Sequence, residues 1–375
     1  HSIRMSAISF ESLQILWQKR PFIISGPCSA ETEGQLRETA FLLRDTNRVD
    51  LLRAGIWKPR TKPGLFEGVG VKGLAWLEQV SKETGLPTTV EVANTKQVEE
   101  ALKHNVSVLW VGARTTVNPF SVQELADALR GVKIPVLIKN PISPDLDLWT
   151  GAVERIAGAG IELIGLIHRG FSTFGETGYR NNPLWQLAIE MHLRHPDLLF
   201  LTDPSHICGR RDIIPQTIQR AIDLGSDGLM IESHCDPDQA WSDAAQQLTP
   251  TQLKQIFEEI IWRKVDSPSS QYHTALDALR REINQYDEEV LQILSRRMQV
   301  AEKIGQYKQE HQITILQTAR WQELSRRVLE KSERLGLSTT FLTQFLAAIH
   351  MESITHQKRV LDQLQKKPSF EKENS

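Results

Sequence analysis

Between residues 20 and 265, short apolar runs recur roughly every 20 to 37 residues, each followed by a stretch with helical periodicity. The runs are FIISG (22–26), LLRAG (51–55), TTVEV (88–92), VLWVG (108–112), PVLIK (135–139), IELIGLI (161–167), LLFLT (198–202) and GLMIE (228–232). They are apolar throughout rather than alternating, which suits strands buried on both faces. Eight strand–helix repeats predict an α/β fold, a parallel sheet closed into a (β/α)8 TIM barrel. An open doubly wound sheet is the competing arrangement, and the polar residues separate the two. Cys28, Arg53, Lys58, Arg60, Arg114, Lys139, Arg169, Asp203, His206 and Glu232 all fall at or just beyond the C-terminal ends of the runs. A barrel gathers those ends around one mouth, whereas an open sheet spreads them along an edge.

After Trp262 the texture changes. "KVDSPSSQY" (264–272) has a linker composition, and from there to Gly336 only Gly305 interrupts a stretch without Gly or Pro. Leu276, Leu279, Ile283, Tyr286, Val290 and Ile293 alternate steps of three and four, the spacing of an amphipathic helix that continues through Ile304. Two more helices fit 317–334 and 339–365, giving a small all-α domain of three helices. The expected organisation is an N-terminal extension (1–20), a barrel (21–263), a linker (264–273), a helical domain (274–365) and a disordered tail (366–375).

Charge and cysteine content narrow the partners. Lys and Arg number 44 against 46 Asp and Glu, a net charge of −2, which argues against a general polyanion binder. No nucleic-acid or membrane role is expected, and no apolar run approaches the ~20 residues of a membrane span. Cys28, Cys208 and Cys235 are too few and too scattered for a disulfide framework, so the chain reads as cytoplasmic. The stretch ahead of the first strand is expected to be too short for a separate sensing domain.

Two constellations carry chemistry. Cys28, His206, Glu232 and Asp243 offer one soft and three harder donors at one face, a mixture that suits a divalent transition metal. Taken singly, each has an ordinary structural reading. Arg53, Lys58, Arg60, Arg114, Lys139, Arg169, Arg180, Arg210 and Arg211 lie in the loops of the same face, far more cations than solubility needs. Guanidinium and ammonium donors match phosphate and carboxylate groups, so two phosphorylated, acidic substrates beside a metal account for the set.

"GPCSAE" (26–31), "LRAGIWKPRTKP" (52–63), "VGAR" (111–114), "IKNP" (138–141), "HRGF" (168–171), "DPSHICGRR" (203–211) and "IESHCDPDQAWSDA" (231–244) resemble, in order and spacing, the type Iβ 3-deoxy-D-arabino-heptulosonate 7-phosphate (DAHP) synthases. The resemblance implies condensation of phosphoenolpyruvate with erythrose 4-phosphate. It assigns Cys28, His206, Glu232 and Asp243 to a divalent metal (Mn2+, with Zn2+, Fe2+ or Co2+ as alternatives). Arg53, Lys58, Arg114, Lys139 and Arg169 would meet phosphoenolpyruvate, with Lys58 also catalytic, and Arg60 and Thr61 the aldose phosphate. "KPRT" (58–61) weighs against the sister enzymes that make an eight-carbon sugar acid phosphate, which lack it. Two positions depart from the family pattern: Lys62 stands where Ser is common, and His168 where Glu often precedes Arg-Gly.

In the tail, Arg297 falls seven residues after Val290 and seven before Ile304, inside the apolar stripe, where an unpaired guanidinium is costly. An anion inside the bundle accounts for it; snorkelling, or a bridge to Asp287 or Glu302, is the structural alternative. Arg280 is ~26 Å from Arg297 along a straight helix, too far for both to hold one small dianion in one chain. A shared site then requires an interlocked homodimer. "ALDALRREINQYDEEVLQILSRR" (275–297), "IGQYK" (304–308), Arg320 and "ESITHQ" (352–357) resemble the all-helical chorismate mutases. That resemblance implies chorismate contacts from Arg280, Arg297, Lys308, Arg320, Ser353 and Gln357, with Arg297 and Lys308 stabilising the rearrangement to prephenate. Gln317 stands where Asp is frequent, and Trp321 where Glu or Gln contacts the substrate hydroxyl. A weak mutase acting mainly as a sensing or dimerisation module is the alternative for this half. For the barrel, a metal aldolase with another acceptor sugar is the alternative. The mutase domain is also the expected place for feedback by chorismate or prephenate.

Overall fold

A computed structural model describes residues 8–60 and 62–365. Thr61 and the tail expected at 366–375 lie outside the described residues. The chain divides into two compact units, His1–Val265 and Asp266–Ser375.

The first unit is a closed barrel of eight parallel strands in sequential order. The strands are β1 (Phe22–Gly26), β2 (Leu51–Arg53), β3 (Thr88–Val92), β4 (Val108–Val111), β5 (Val136–Lys139), β6 (Ile164–His168), β7 (Leu199–Thr202) and β8 (Gly228–Glu232). Closure is made by β1 on β8, from Phe22 opposite Gly228 to Gly26 opposite Glu232. The open-sheet alternative is excluded. Every expected run holds a strand; the sixth starts three residues later than its apolar run and ends one residue beyond it, at His168.

Strand side chains alternate, and the alternation divides the core in two. Ile23, Leu52, Leu109, Val136, Ile138, Leu166 and Ile231 point outward into the layer shared with the surrounding helices. Phe22, Ile24, Leu51, Val108, Trp110, Leu137, Ile167, Leu199, Leu201 and Met230 point inward and fill the barrel, with Leu13 and Trp17 of the helix Phe10–Trp17 packed onto them. The same parity aims the functional residues. Arg53, Lys139, Arg169, Asp203 and Glu232 each come two positions after an inward apolar residue (Leu51, Leu137, Ile167, Leu201, Met230), so they share its face one step nearer the mouth.

The second unit contains helices Ser270–Glu310, Thr318–Leu329, Ser332–Leu335 and Thr339–Gln365. The expected three helices become four segments, because the chain breaks at Glu330–Lys331 and the short turn that follows ends on Gly336 in the left-handed conformation. The long helix also starts inside the stretch read as linker, where Ser269 caps it by accepting from the Tyr272 amide. At 41 residues this helix is ~62 Å long. Its buried residues are Met298, Ala301 and Gly305, which pack against the last helix. Gly305 allows the close approach: a Cβ there would lie 3.1 Å from Gln357 Cα and 3.2 Å from its Cβ. No helix among the described residues is long and apolar enough to cross a membrane.

Candidate active sites

At the barrel mouth, donor atoms of Cys28, Glu232 and Asp243 all lie within 4.8 Å of one another. Each arrives from a different direction: Cys28 from the loop after β1, Glu232 from the last position of β8, and Asp243 from the loop beyond it at φ 45°, a strained conformation for a non-glycine residue. The Cys28 thiol contacts Asp243 Oδ2 at 3.4 Å, and its backbone amide donates to Gln247 Oε1 at 3.0 Å. Glu232 is fully buried, its Oε1 accepts from Gln246 Nε2 at 2.6 Å, and its Oε2 has no hydrogen-bond partner. His206 is not part of the 4.8 Å group but flanks it, with Nε2 3.7 Å from Glu232 Oε2.

Asp203 sets the orientation of His206. It caps the short helix Pro204–Cys208, taking the His206 amide on Oδ1 at 3.0 Å and the imidazole Nδ1 on Oδ2 at 2.6 Å. Nδ1 therefore carries the proton, and Nε2 is left as a lone-pair donor facing the carboxylates. The same Oδ2 receives Lys139 Nζ at 2.8 Å. Burial opposes the Asp203 charge, yet His206 and Lys139 hold its carboxyl well below the usual range. A lone-pair nitrogen, a sulfur and two carboxylates, one with a buried oxygen that accepts no hydrogen bond, fit a transition metal, and the donor set is therefore consistent with one.

Charge at this site is sharply polarised. Burial, then Glu232, push the Cys28 thiol up to about 12, although Lys58 Nζ donates to its sulfur at 2.6 Å. Burial also works against the Lys58 ammonium, but Cys28 and Glu232 outweigh it and raise its pKa. Gly55 makes this contact possible, since a Cβ there would meet Cys28 O at 2.1 Å and Lys58 Cε at 2.5 Å. Arg53 is buried across the mouth, 3.3 Å from Glu232 Oε2 and stacked 4.8 Å from the Trp110 ring centroid.

Around these groups is a cavity lined by seven Lys or Arg side chains (Arg53, Lys58, Arg60, Arg114, Lys139, Arg169 and Arg180) and two carboxylates, Glu91 and Asp243. Arg169 is buried and donates to Asn181 Oδ1 at 3.1 Å; burial, with Arg114 and Arg180 nearby, lowers its pKa to about 10. The Arg60 Nε is buried without a partner. Such an excess of confined cations is a site for anions. Arg180 pairs with Asp243 at 3.1 Å and Gln246 at 2.6 Å. The adjacent Arg210 and Arg211 do not line the cavity. Arg210 pairs with Asp212 at 3.3 Å, and Arg211 ties down the loop after β8 through Asp238 at 2.6 Å and the Gln247 carbonyl at 3.2 Å.

In the helical unit Arg297 Nη1 donates to the buried Ser353 hydroxyl at 2.5 Å, which crosses from the long helix to the last. Gln357, one turn on, is buried with Oε1 unpaired. Lys308 donates to the Ile315 carbonyl at 2.5 Å, and burial lowers its pKa. Arg280 lies on the same continuous helix as Arg297, ~26 Å away, so it does not join them within one chain. Arg320 is exposed and paired with Glu323 at 3.0 Å. Leu279, Ile283, Tyr286, Val290 and Ile293 are 47–58% exposed, so the apolar stripe has no cover among the described residues.

The DAHP synthetase I family model matches residues 11–267, more than half of the chain. The chain belongs to the DAHP synthetase I family. The chorismate mutase type II model matches residues 279–358, so a DAHP synthase domain, a transferase, is joined to a chorismate mutase domain, an isomerase. Together they support a bifunctional shikimate-pathway enzyme. A phospho-2-dehydro-3-deoxyheptonate aldolase from Thermotoga maritima is 32% identical over 238 residues, 64% of this chain and 68% of that protein. A 2-dehydro-3-deoxyphosphooctonate aldolase from Syntrophotalea carbinolica is 28% identical over 258 residues, 64% of this chain and 89% of that protein. The crystal structure of the T. maritima DAHP synthase aligns with a TM-score of 0.56 at 32% identity, covering 64% of this chain and 67% of that one.

Within the DAHP synthase domain, sequence reasoning missed Asp203 and Gln246 as partners of the donor set, and Trp110 as the aromatic floor beneath Arg53 and Lys139. Asp203 had a readable signal. An Asp-Pro pair three residues ahead of His206 is a helix N-cap, and a capping carboxylate lies within reach of the residue at its third helical position.

Proposed function

We propose that the barrel condenses phosphoenolpyruvate with erythrose 4-phosphate to DAHP and phosphate. The observation that carries this reading is the Cys28–Glu232–Asp243 donor group set against seven cations in one cavity. Arg53, Lys58, Arg114, Lys139 and Arg169 bind the phosphate and carboxylate of phosphoenolpyruvate, and Arg60 with Thr61 binds the aldose phosphate. Buried Trp110 and the closed barrel beneath keep bulk water from below, so water reaches the reacting carbons from the mouth alone. Lys58 Nζ, kept charged, donates a hydrogen bond to the oxygen that gains negative charge as the carbon–carbon bond forms. Cys28, His206, Glu232 and Asp243 hold a divalent metal, Mn2+ first among Mn2+, Zn2+, Fe2+ and Co2+, which when bound supplies Lewis-acid polarisation of the aldehyde.

The helical domain rearranges chorismate to prephenate, with Arg297, Lys308, Arg320, Ser353 and Gln357 from one chain and Arg280 from a second. The long exposed apolar stripe and the Arg280–Arg297 separation support a homodimer through this domain. No covalent step is needed; cations at the carboxylates and ether oxygen hold the reactive conformer and stabilise the transition state. Chorismate or prephenate bound there changes the synthase rate, and the coupling is reciprocal in binding.

Synthase assays after chelation, with single metals restored and erythrose 4-phosphate compared with arabinose 5-phosphate, test the barrel. Activity without metal, or preference for the five-carbon aldose, overturns its assignment. Sedimentation and mutase assays on the full chain test the helical half. A stable dimer with no rearrangement supports the alternative, a dimerisation or sensing module.

A further inference from the structure

His350 lies on the same stripe of the last helix as Ser353 and Gln357, three residues before the first and seven before the second, so all three project from one side. That side meets the long helix, because Arg297 reaches Ser353 and Gly305 lies against Gln357. The His350 ring stacks on Trp321 with centroids 4.0 Å apart and planes 28° apart, which fixes its orientation. Its Nε2 is buried and has no hydrogen-bond partner, as is Gln357 Oε1. Two orphaned polar atoms on one stripe, ~10 Å apart along the helix axis, flank the Arg297–Ser353 contact. An unpaired buried polar atom is destabilising unless a ligand completes it. Burial, then the charges of Arg297 and Lys308, lower the His350 pKa, which favours the neutral imidazole.

A dicarboxylate cyclohexadienyl ether such as chorismate presents two carboxylates and an ether oxygen to cations, and one hydroxyl that a neutral group can meet. Position 321, whose side chain is an indole stacked against His350, supplies no carboxylate for it. We infer that His350 Nε2 is the hydrogen-bond partner of the substrate's ring hydroxyl, making His350 a substrate-contacting, specificity-determining residue of the helical site. This inference rests on the mutase reading given above.

The test uses the full-length chain and compares chorismate with an analogue lacking the ring hydroxyl. His350→Phe keeps the stacking on Trp321 and removes the nitrogen; His350→Gln restores a hydrogen-bonding group near the Nε2 position. The expected result is a fall in kcat/KM for chorismate of about 10- to 100-fold in His350→Phe, substantial recovery in His350→Gln, and equal turnover of the analogue by His350→Phe and the unaltered chain. An equal loss on both substrates assigns His350 to packing alone and overturns the inference, as does an unchanged rate on chorismate. Failure of the unaltered chain to rearrange chorismate overturns the mutase reading and this inference with it, and is recognised before any variant is made.

Discussion

Lys58 Nζ lies 2.6 Å from Cys28 Sγ at the bottom of the barrel mouth, an ammonium against a thiol that burial holds protonated up to about 12. A divalent metal bound at the proposed site would displace that proton near neutral pH and leave the sulfur as a thiolate. Cys28→Ala is expected to abolish synthase turnover at any metal concentration, and to lack the sulfur-to-metal charge-transfer absorption expected of the unaltered chain on adding Co2+. Retention of more than about a tenth of the rate removes Cys28 from the ligand set.

Asp203 holds both the His206 imidazole and the Lys139 ammonium on one oxygen. Asp203→Asn keeps a hydrogen-bond acceptor but removes the charge, freeing the imidazole to change tautomer. Metal affinity is expected to weaken by about 10- to 100-fold, measured by calorimetric titration with Mn2+. Unchanged affinity would show that His206 is oriented by its backbone cap alone.

His168, at the end of β6, faces outward rather than into the mouth. Its Nε2–H donates to the Pro183 carbonyl at 2.6 Å, the ring packs edge-on to Trp185, and Nδ1 has no partner. Burial lowers its pKa from 6.5 to about 4. The unfolded chain therefore binds a proton that the folded barrel refuses, and stability falls as pH drops from about 6.5 to about 4. The cost is roughly 3 kcal/mol over that window and levels off below it. Urea unfolding of the barrel between pH 7 and 4 is expected to show this slope, and His168→Gln to flatten it.

Gly305 faces Gln357 with no room to spare. A Cβ added there would lie 3.1–3.2 Å from Gln357, closer than ordinary van der Waals contact, and the branched side chain of Gly305→Val has to push the two helices apart. The helical domain is expected to lose about 1–3 kcal/mol and the mutase rate to fall at least tenfold, read from thermal melting by circular dichroism and from chorismate consumption.

The barrel was legible because fully buried strands are continuous apolar words, and FIISG, TTVEV and GLMIE coincide with β1, β3 and β8. Cys28 and Glu232 were legible as residue types at strand ends, and Asp243 as a carboxylate in the loop that follows the last strand. Arg210 and Arg211 read as mouth cations on the same logic, yet they pair with Asp212 and Asp238 outside the cavity. A loop position gives the end of the barrel but not the direction of its side chain. His350 carried no signal of its own, because a histidine on an amphipathic helix becomes informative only when its ring nitrogen is found buried and unpaired.

Local alternation and helical spacing are properties of consecutive residues, so the chain by itself determined eight buried strands, a linker-like break and a helix with an arginine in its apolar seam. Which side chains meet depends on contacts far apart in the chain. Closure of β1 on β8 brings Gly26 opposite Glu232, and parity then turns Arg53, Lys139, Arg169, Asp203 and Glu232 inward above the apolar filling. The approach of the last helix likewise puts Ser353, Gln357 and His350 on the side that meets the long helix. Those convergences belong to the tertiary structure, because no local pattern records how a distant segment returns.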